Sequence, residues 1–366
     1  MRSIYRYFCS EIRRIRENRF YLYTLTLFPA IALLIFVCYF SKSGIDLLPI
    51  AVTDYDNSPL SRKVIEMINI SPSVNIEYKT SSSDHSLELM RRGKIYASIL
   101  IPNNFERDIL RNNNTHIELY NSGTNISTNG FIEKAVQTAA KSFGAGVVIE
   151  TLLARGVDSS HALSMAMPVR LSEHLLFNPW LNYTYYLAPC FLAMMIMIFT
   201  SLATSIAVCD REYYSFVQII GVILPTNIVM TLFATIILII LFCWFQVPLN
   251  GNLLFILLAT YLLIITYQAI AIFIAGITKS LHLTLSLTGG YSVLAFTFSG
   301  LTFPVLAMAE PLQLLTHLFP FTYYINVFID QALRGAPLYV SAPNLAYMTI
   351  FIILPLFVYK RLCQKN

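Results

Sequence analysis

The stretch Tyr213–Thr278 reads YYSFVQIIGVILPTNIVMTLFATIILIILFCWFQVPLNGNLLFILLATYLLIITYQAIAIFIAGIT and contains no Asp, Glu, Lys or Arg. A helix needs about twenty apolar residues to cross roughly 30 Å of hydrocarbon, so this stretch has room for two spans. QVPLNGN at 246–252 supplies the turn between them, since Pro, Asn and Gly interrupt a helix. Spans near Ile219–Phe245 and Leu253–Ile277 follow.

Working outward, Tyr21–Phe40 and Thr184–Cys209 are apolar over a span's length. A fifth span is expected near Leu285–Met308, with Gly289, Gly290, Gly300 and Pro304 as kinks or close-packing points. A shorter sixth lies at Leu345–Val358, where Tyr359, Lys360 and Arg361 can snorkel to an interface. Leu312–Ile329 is apolar but carries His317, Pro320, Thr322 and Asn326 and ends at Asp330, which suits a re-entrant or interfacial segment. The rest of the chain agrees. Its 366 residues are 56% hydrophobic and only 12% charged, about half the charged fraction of a soluble protein, roughly 25%. Only ten of its Asp, Glu, Lys and Arg residues follow His174.

With six spans, the N-terminus, the 210–212 and 279–282 loops and the C-terminal tail share one side. They hold eleven basic residues, Arg2, Arg6, Arg13, Arg14, Arg16, Arg19, Arg211, Lys279, Lys360, Arg361 and Lys365, against Arg334 alone in the short loops opposite. That asymmetry places both termini in the cytoplasm. The first apolar run is too long for a signal-peptide core, and no small-x-small cleavage pattern follows it at Lys42-Ser43-Gly44.

Residues 41–183 then form one external domain. Leu48–Val52 and Ile95–Ile101 read as buried strands, Val74–Tyr78 and His116–Tyr120 as shorter ones. Pro59–Ile68, Asp84–Arg92 and Asn104–Arg111 read as helices, the first capped by Ser58, and Thr128–Ala154 as a long helical stretch. Strands alternating with helices predict a small α/β domain. It has no cysteine, and its 13 basic and 14 acidic residues imply no charged substrate. Its histidines lack metal-ligand spacing, as do the chain's six cysteines.

In residues 1–20, Ile4, Tyr5, Phe8, Ile12 and Ile15 recur at helical spacing and the arginines take the other face. Such a helix lies in the membrane interface, as a lipid anchor or as a surface for a cytoplasmic partner. No base-reading motif accompanies the arginines, so nucleic acid is excluded. There is no phosphate-binding loop, no His-Glu-x-x-His, no Gly-x-Ser-x-Gly and no carboxylate pair within the spans. The chain is therefore not expected to be an enzyme, to bind a metal or cofactor, or to run a proton relay. Met194, Met197, Thr200, Ser201 and Thr204 on the second span, and Ser292, Ser299 and Thr302 on the fifth, form weakly polar stripes. They read either as the lining of a path for an amphipathic substrate or as helix packing through small residues.

One span, an external domain and five spans, in that order, resemble the permease subunits of ABC-2 type exporters. Glu11, Arg16-Glu17 and Pro29 are similar to that family's leading helix and first span. Pro49-Ile-Ala-Val-Thr-Asp54-Tyr-Asp56-Asn57-Ser58 with Ser61-Arg62 resembles the start of its external domain, and Gly93–Pro102 with Phe105 a later strand. Ser299-Gly300-Leu-Thr-Phe303-Pro304, Phe319–Tyr324 and Gly335 resemble its closing signature.

The resemblance implies an α-helical polytopic protein of the bacterial inner membrane: a cytoplasmic amphipathic helix at 1–20, a first span at 21–40, an external (periplasmic) α/β domain at 41–183, and five spans in 184–366. It implies a permease paired with a second permease subunit, itself or a sister, and driven by a separate cytoplasmic ATPase that uses the ATP. Contacts with that ATPase would come from Glu11, Arg14, Arg16, Glu17 and Arg19 and from Arg211 and Glu212. Membrane lipid and a periplasmic adaptor complete the expected partners. One departure stands out. The family usually continues Arg-Glu with a second Glu, a Gly-Thr pair and a longer loop before Gly-Lys-x-x-Pro, whereas here Arg211-Glu212 runs almost at once into Gly221-Val-Ile-Leu-Pro225. The leading helix would then carry more of the contact, or the chain would be the partner of a fully equipped sister subunit. A membrane scaffold or sensor working through its external domain is the alternative from another class.

Overall fold

The computed structural model describes residues 2–41, 47–111, 113–167, 176–178, 182–209, 211, 213, 215–301 and 303–363. The chain divides into two compact units, Met1–Ser43 with Leu175–Asn366, and Gly44–His174.

The helical unit begins with α1 (Arg2–Glu17), α2 (Arg19–Leu25) and α3 (Leu27–Phe40). Asn18 separates the first two. Its side chain accepts the Tyr21 N–H at 3.1 Å, capping a new helix and ending the old one. The first long apolar helix therefore starts at Arg19.

The second unit is built from β1 (Leu48–Asp54), α4 (Pro59–Asn69), β2 (Val74–Thr80), α5 (Ser83–Arg91), β3 (Ala97–Ile101), α6 (Phe105–Leu110), β4 (Glu118–Asn121), α7 (Ile126–Ala154) and α8 (Ser159–Ala166). The sheet order is β2-β1-β3-β4, with β1 parallel to both neighbours and β4 antiparallel to β3. A parallel strand is covered on both faces, and β1 divides accordingly. Ile50 and Val52 pack with Ile68, Ile132 and Val136, while Ala51 packs with Leu89 and Ile95 on the other face. The α4 helix starts where the sequence places it: Ser58 accepts the Ser61 N–H at 3.0 Å and Pro59 takes the first helical position. The neighbouring motif is a turn builder. Asp54 accepts from the backbone of Asp56 and Asn57, each at 3.0 Å, and from Ser61 Oγ at 2.7 Å. Asp56 in turn accepts the Glu106 N–H at 3.0 Å, tying α6 to the same corner.

The helical unit resumes with α9 (Tyr183–Val208), α10 (Phe216–Ile239), α11 (Leu253–Thr278), α12 (Leu281–Thr297), α13 (Glu310–Thr316), α14 (Pro320–Phe328), α15 (Leu338–Ile350) and α16 (Leu354–Cys363). A π-turn at Ile240–Trp244 extends α10, and another at Ile329–Arg334 extends α14. The bundle wraps α9, which packs on α2, α3, α10, α11 and α12 and is buried at every position from Ala203 to Cys209.

Among the described residues, five helical segments are long and apolar enough to cross a membrane: Arg19–Phe40, Thr184–Val208, Phe216–Trp244, Leu253–Thr278 and Leu338–Arg361. The last differs from expectation. A short 3-10 turn at Phe351–Ile353 carries the backbone past Pro355, so α15 and α16 join into a segment much longer than Leu345–Val358. The fifth expected span, Leu285–Met308, needs a larger correction. Its helix starts earlier, at Leu281, and stops at Thr297. Gly300 adopts φ +86°, and a Cβ there would meet Val305 Cγ2 at 2.8 Å, so the chain turns back where the sequence offered only a kink. Leu312–Ile329 holds two short helices, α13 and α14. The second is buried against α11, α12 and α15.

Candidate functional site

Two polar assemblies mark opposite ends of the helical bundle. The first is built on α1. Its inward face is Ile4, Tyr7, Phe8, Glu11, Arg14 and Ile15, while Tyr5 and Ile12 point outward. The stripe is rotated from the one the apolar residues suggest, and Glu11, with no exposed surface, lies at its centre. A buried carboxylate is stable only when paired. Here Arg211 forms a close ion pair with Glu11 Oε2, and Arg14 Nη1 lies 4.0 Å from Oε1. Burial pushes the Glu11 carboxyl above the ordinary glutamate range, and the guanidinium groups of Arg211 and Arg14 pull it back in part.

Arg14 and Tyr213 also reach the end of α9. Arg14 Nη1 donates to the Ala207 carbonyl at 3.2 Å, and Tyr213 Oη donates to Val208 O at 3.1 Å. Carbonyls in the last turn of a helix lack intrahelical partners and carry partial negative charge, so cations and hydroxyls belong there. Burial among these groups raises the Tyr213 hydroxyl pKa. A further bond, Tyr21 Oη to Thr226 Oγ1 at 2.8 Å, joins α2 to α10. Close approach of α1 to α10 depends on Gly221, where a Cβ would meet Tyr7 Cβ at 2.7 Å and the Ile4 carbonyl at 3.1 Å. The hub thus links α1, α9, α10 and Arg211.

Of the sequence-expected contact residues, Glu11, Arg14 and Arg211 meet in this hub, Arg16, Glu17 and Arg19 are exposed beside it, and Glu212 lies outside the described residues. The stripe residues on α9, on α12 and just beyond α12 sit on packed neighbours. Met197, Thr200, Ser201, Thr204, Ser292 and Ser299 are buried and Met194 is half-buried, whereas Thr302 lies outside the described residues. The hydroxyls of Ser201 and Ser292, and of Ser299 just beyond α12, bond to backbone carbonyls three or four residues earlier, whereas those of Thr200 and Thr204 are buried with no hydrogen-bond partner among the described residues.

At the other end, the 246–252 turn grips the π-turn after α14. Asn250 Nδ2 donates to the Leu333 carbonyl at 2.8 Å, and the Asn252 N–H donates to Gln331 Oε1 at 3.1 Å. Arg334 bonds Asp330 at 3.0 Å, and Gln331 Nε2 donates to Ser341 Oγ at 2.9 Å. Gly251 fits only without a side chain, because a Cβ would meet the Gln331 carbonyl at 2.6 Å. We expect Gly251→Ala to cost about 1–3 kcal/mol, the usual range for overpacking, and to lower the thermal midpoint of the purified chain in detergent. An unchanged midpoint would show that the turn yields freely.

A profile of the ABC-2 family transporter proteins matches residues 19–358. The chain belongs to that family. It is a multi-pass membrane permease of an ABC transporter, a kind of subunit that works with an ABC ATPase. No curated protein matches the sequence. In this ABC-2 permease the match starts at Arg19, where the first long apolar helix begins, covers the next three whole and ends three residues before the end of the last.

Sequence reasoning missed several polar contacts in the ABC-2 chain. Asn227 Nδ2 donates to Gln268 Oε1 at 2.9 Å between α10 and α11, and both residues are buried. A signal was available, because an amide inside an apolar run must find a partner in a neighbouring helix. Tyr213 and Thr226 carried no comparable mark. Among the described residues no group of three His, Cys, Asp or Glu side chains is placed to hold a metal ion.

Proposed function

We propose that this permease is one half of an ATP-driven exporter, paired with itself or a sister subunit, with the Glu11 hub as its intake for mechanical work. The observation that carries the reading is the burial of Glu11 between Arg14 and Arg211 at the end of α9. A force applied to α1 or to the 211–213 segment would be transmitted to α9 and α10 through these bonds, because a packed, hydrogen-bonded cluster moves as one piece. Glu11 then acts by holding the assembly. The exposed Arg16, Glu17 and Arg19 are the side chains offered to the ATPase, with Glu212 beside Arg211 in sequence.

The proposed topology has six crossings, the five long helices plus α12. At ~1.5 Å per residue the 17 residues of α12 reach about 25 Å, at the short end of what crosses a bilayer. The α13–α14 segment then dips back into the bundle without crossing. Both termini lie in the cytoplasm and the α/β unit outside, as the eleven-to-one distribution of basic residues supports. The exported substrate is amphipathic, and the spans around α9 and α12 surround its route.

Orientation is directly testable with a membrane-impermeant maleimide. In intact cells Ser81→Cys, at an exposed position in the α/β unit, should label within minutes. The exposed Cys9 on α1 should label only after the membrane is opened. Reversed labelling would overturn the topology and, with it, the outward direction of transport.

A further inference from the structure

The helical unit contains a cleft of about 460 Å³ between the start of α9, the loop after α12, α14 and α15. That volume lies within the range of ligand pockets, roughly 300–1,000 Å³. Its walls are of two kinds. Leu301, Val305, Leu306, Ile325 and Ile329 give an apolar side, and Leu306 is 92% exposed at the rim. Thr322, Asn326, Arg334 and Asn344 give a polar side made mainly of donors. Arg334 is the one charged residue lining the cleft among the described residues, and no acidic side chain does so. Its guanidinium makes a single bond to Asp330 and is 57% exposed, leaving most of its N–H donors for another acceptor.

Thr322 makes the polar side more than a surface accident. Its side-chain oxygen is buried, the residue is only 6% exposed, and the hydroxyl has no hydrogen-bond partner among the described residues. Threonine in a helix usually satisfies its hydroxyl on a carbonyl of the preceding turn. Thr322 stands in the first turn of α14, directly behind Pro320, and finds no such carbonyl. A buried polar group left unpaired is costly, so its presence on a cleft wall calls for an acceptor in the cleft. Asn326, exposed, and Asn344, half-buried, flank it on the same wall, whereas the neighbouring Tyr323 hydroxyl is already engaged with His317.

We propose that this cleft binds an amphiphile with an anionic head, the head held by Arg334, Asn344 and Thr322 and the tail laid along Val305 and Leu306. As a statement about cargo the proposal rests on the exporter reading. As a binding site it needs no ATPase and no turnover. The same chemistry describes an exported amphiphile and an anionic membrane lipid, so the test separates the two.

The full chain, in nanodiscs of phosphatidylcholine, is titrated with radiolabelled hexadecyl phosphate and with hexadecylphosphocholine, which has the same tail and a zwitterionic head. Saturable binding of about one hexadecyl phosphate per chain is expected, at least tenfold tighter than hexadecylphosphocholine. Thr322→Val keeps the shape and removes the hydroxyl. It should weaken hexadecyl phosphate binding roughly tenfold while leaving the thermal midpoint of the unliganded chain unchanged or raised. A general packing defect would lower that midpoint. Should Thr322→Val fail to fold, Asn344→Leu on α15 supplies the same comparison. Displacement of the probe by phosphatidylglycerol added to the disc would identify the site as one for membrane lipid, and its failure to displace would point to cargo. Equal binding of the two probes, or unaltered binding in folded Thr322→Val, would overturn the proposal. Absence of an ATPase partner would remove the exporter reading and leave the binding result intact.

Discussion

Glu11→Gln should abolish ATP-driven export while leaving the protein in the membrane at its normal level. The substitution keeps the shape of the side chain and removes the charge that Arg14 and Arg211 share. Breaking a buried ion pair by deleting one partner costs about 3–5 kcal/mol, because the other charge is stranded. Arg14 and Arg211 keep about a quarter of their side-chain surface in contact with solvent, so the loss here falls toward the lower end. It is still enough to free α1 from the end of α9, because Arg14 reaches Ala207 from the position that Glu11 fixes. The five long apolar helices do not depend on Glu11, so insertion survives. Amide exchange should rise across Arg2–Glu17 and stay unchanged in α11. Wild-type export by Glu11→Gln would show that work enters elsewhere.

Gly221→Val should produce the same phenotype through sterics alone. The first carbon added at Gly221 already lies 2.7 Å from Tyr7 Cβ and 3.1 Å from the Ile4 carbonyl. These are a side-chain root and a main-chain atom, neither able to swing aside, and two further methyl groups deepen the conflict. Forcing extra carbon into a packed site costs about 1–3 kcal/mol, and α1, whose seat on α10 is at this contact, is the element that yields. Protease cleavage at Arg13 and Arg14 should become rapid in Gly221→Val and remain slow in the wild type. Gly289→Ala is the matched control, since a Cβ there meets nothing within 4 Å. Equal cleavage of Gly221→Val and wild type would mean that α1 does not need its seat on α10.

What the sequence makes legible follows from the range of the forces involved. Hydrocarbon thickness sets helix length, so Thr184–Val208, Phe216–Trp244 and Leu253–Thr278 are visible as uncharged runs. Local hydrogen bonding sets helix starts, so the Ser58-Pro59 start of α4 is visible too. The early stop of α12 is not, because Gly300 and Pro304 are as compatible with a kinked span as with the tight turn, Gly300 at φ +86°, that follows Thr297. The hub is legible in its members and hidden in its arrangement. Glu11, Arg14 and Arg211 stand out as charges beside apolar runs, yet a pairing across two hundred residues leaves no periodic trace. Amphipathic spacing even misplaces the buried face of α1, since it counts Glu11 as polar and therefore outward. A carboxylate neutralised by two arginines can be buried, and hydropathy patterns cannot register that.

Coupling of the Glu11 hub to an ATPase is tested most directly by purification from native membranes in mild detergent, with ATP hydrolysis measured on the eluate. A soluble ABC ATPase should co-purify with the wild-type chain and hydrolyse ATP. With Glu11→Gln the ATPase should still bind, because Arg16, Glu17 and Arg19 remain exposed, but hydrolysis should no longer respond to added amphiphile. An ATPase whose response to amphiphile is the same with Glu11→Gln as with the wild type would contradict the account.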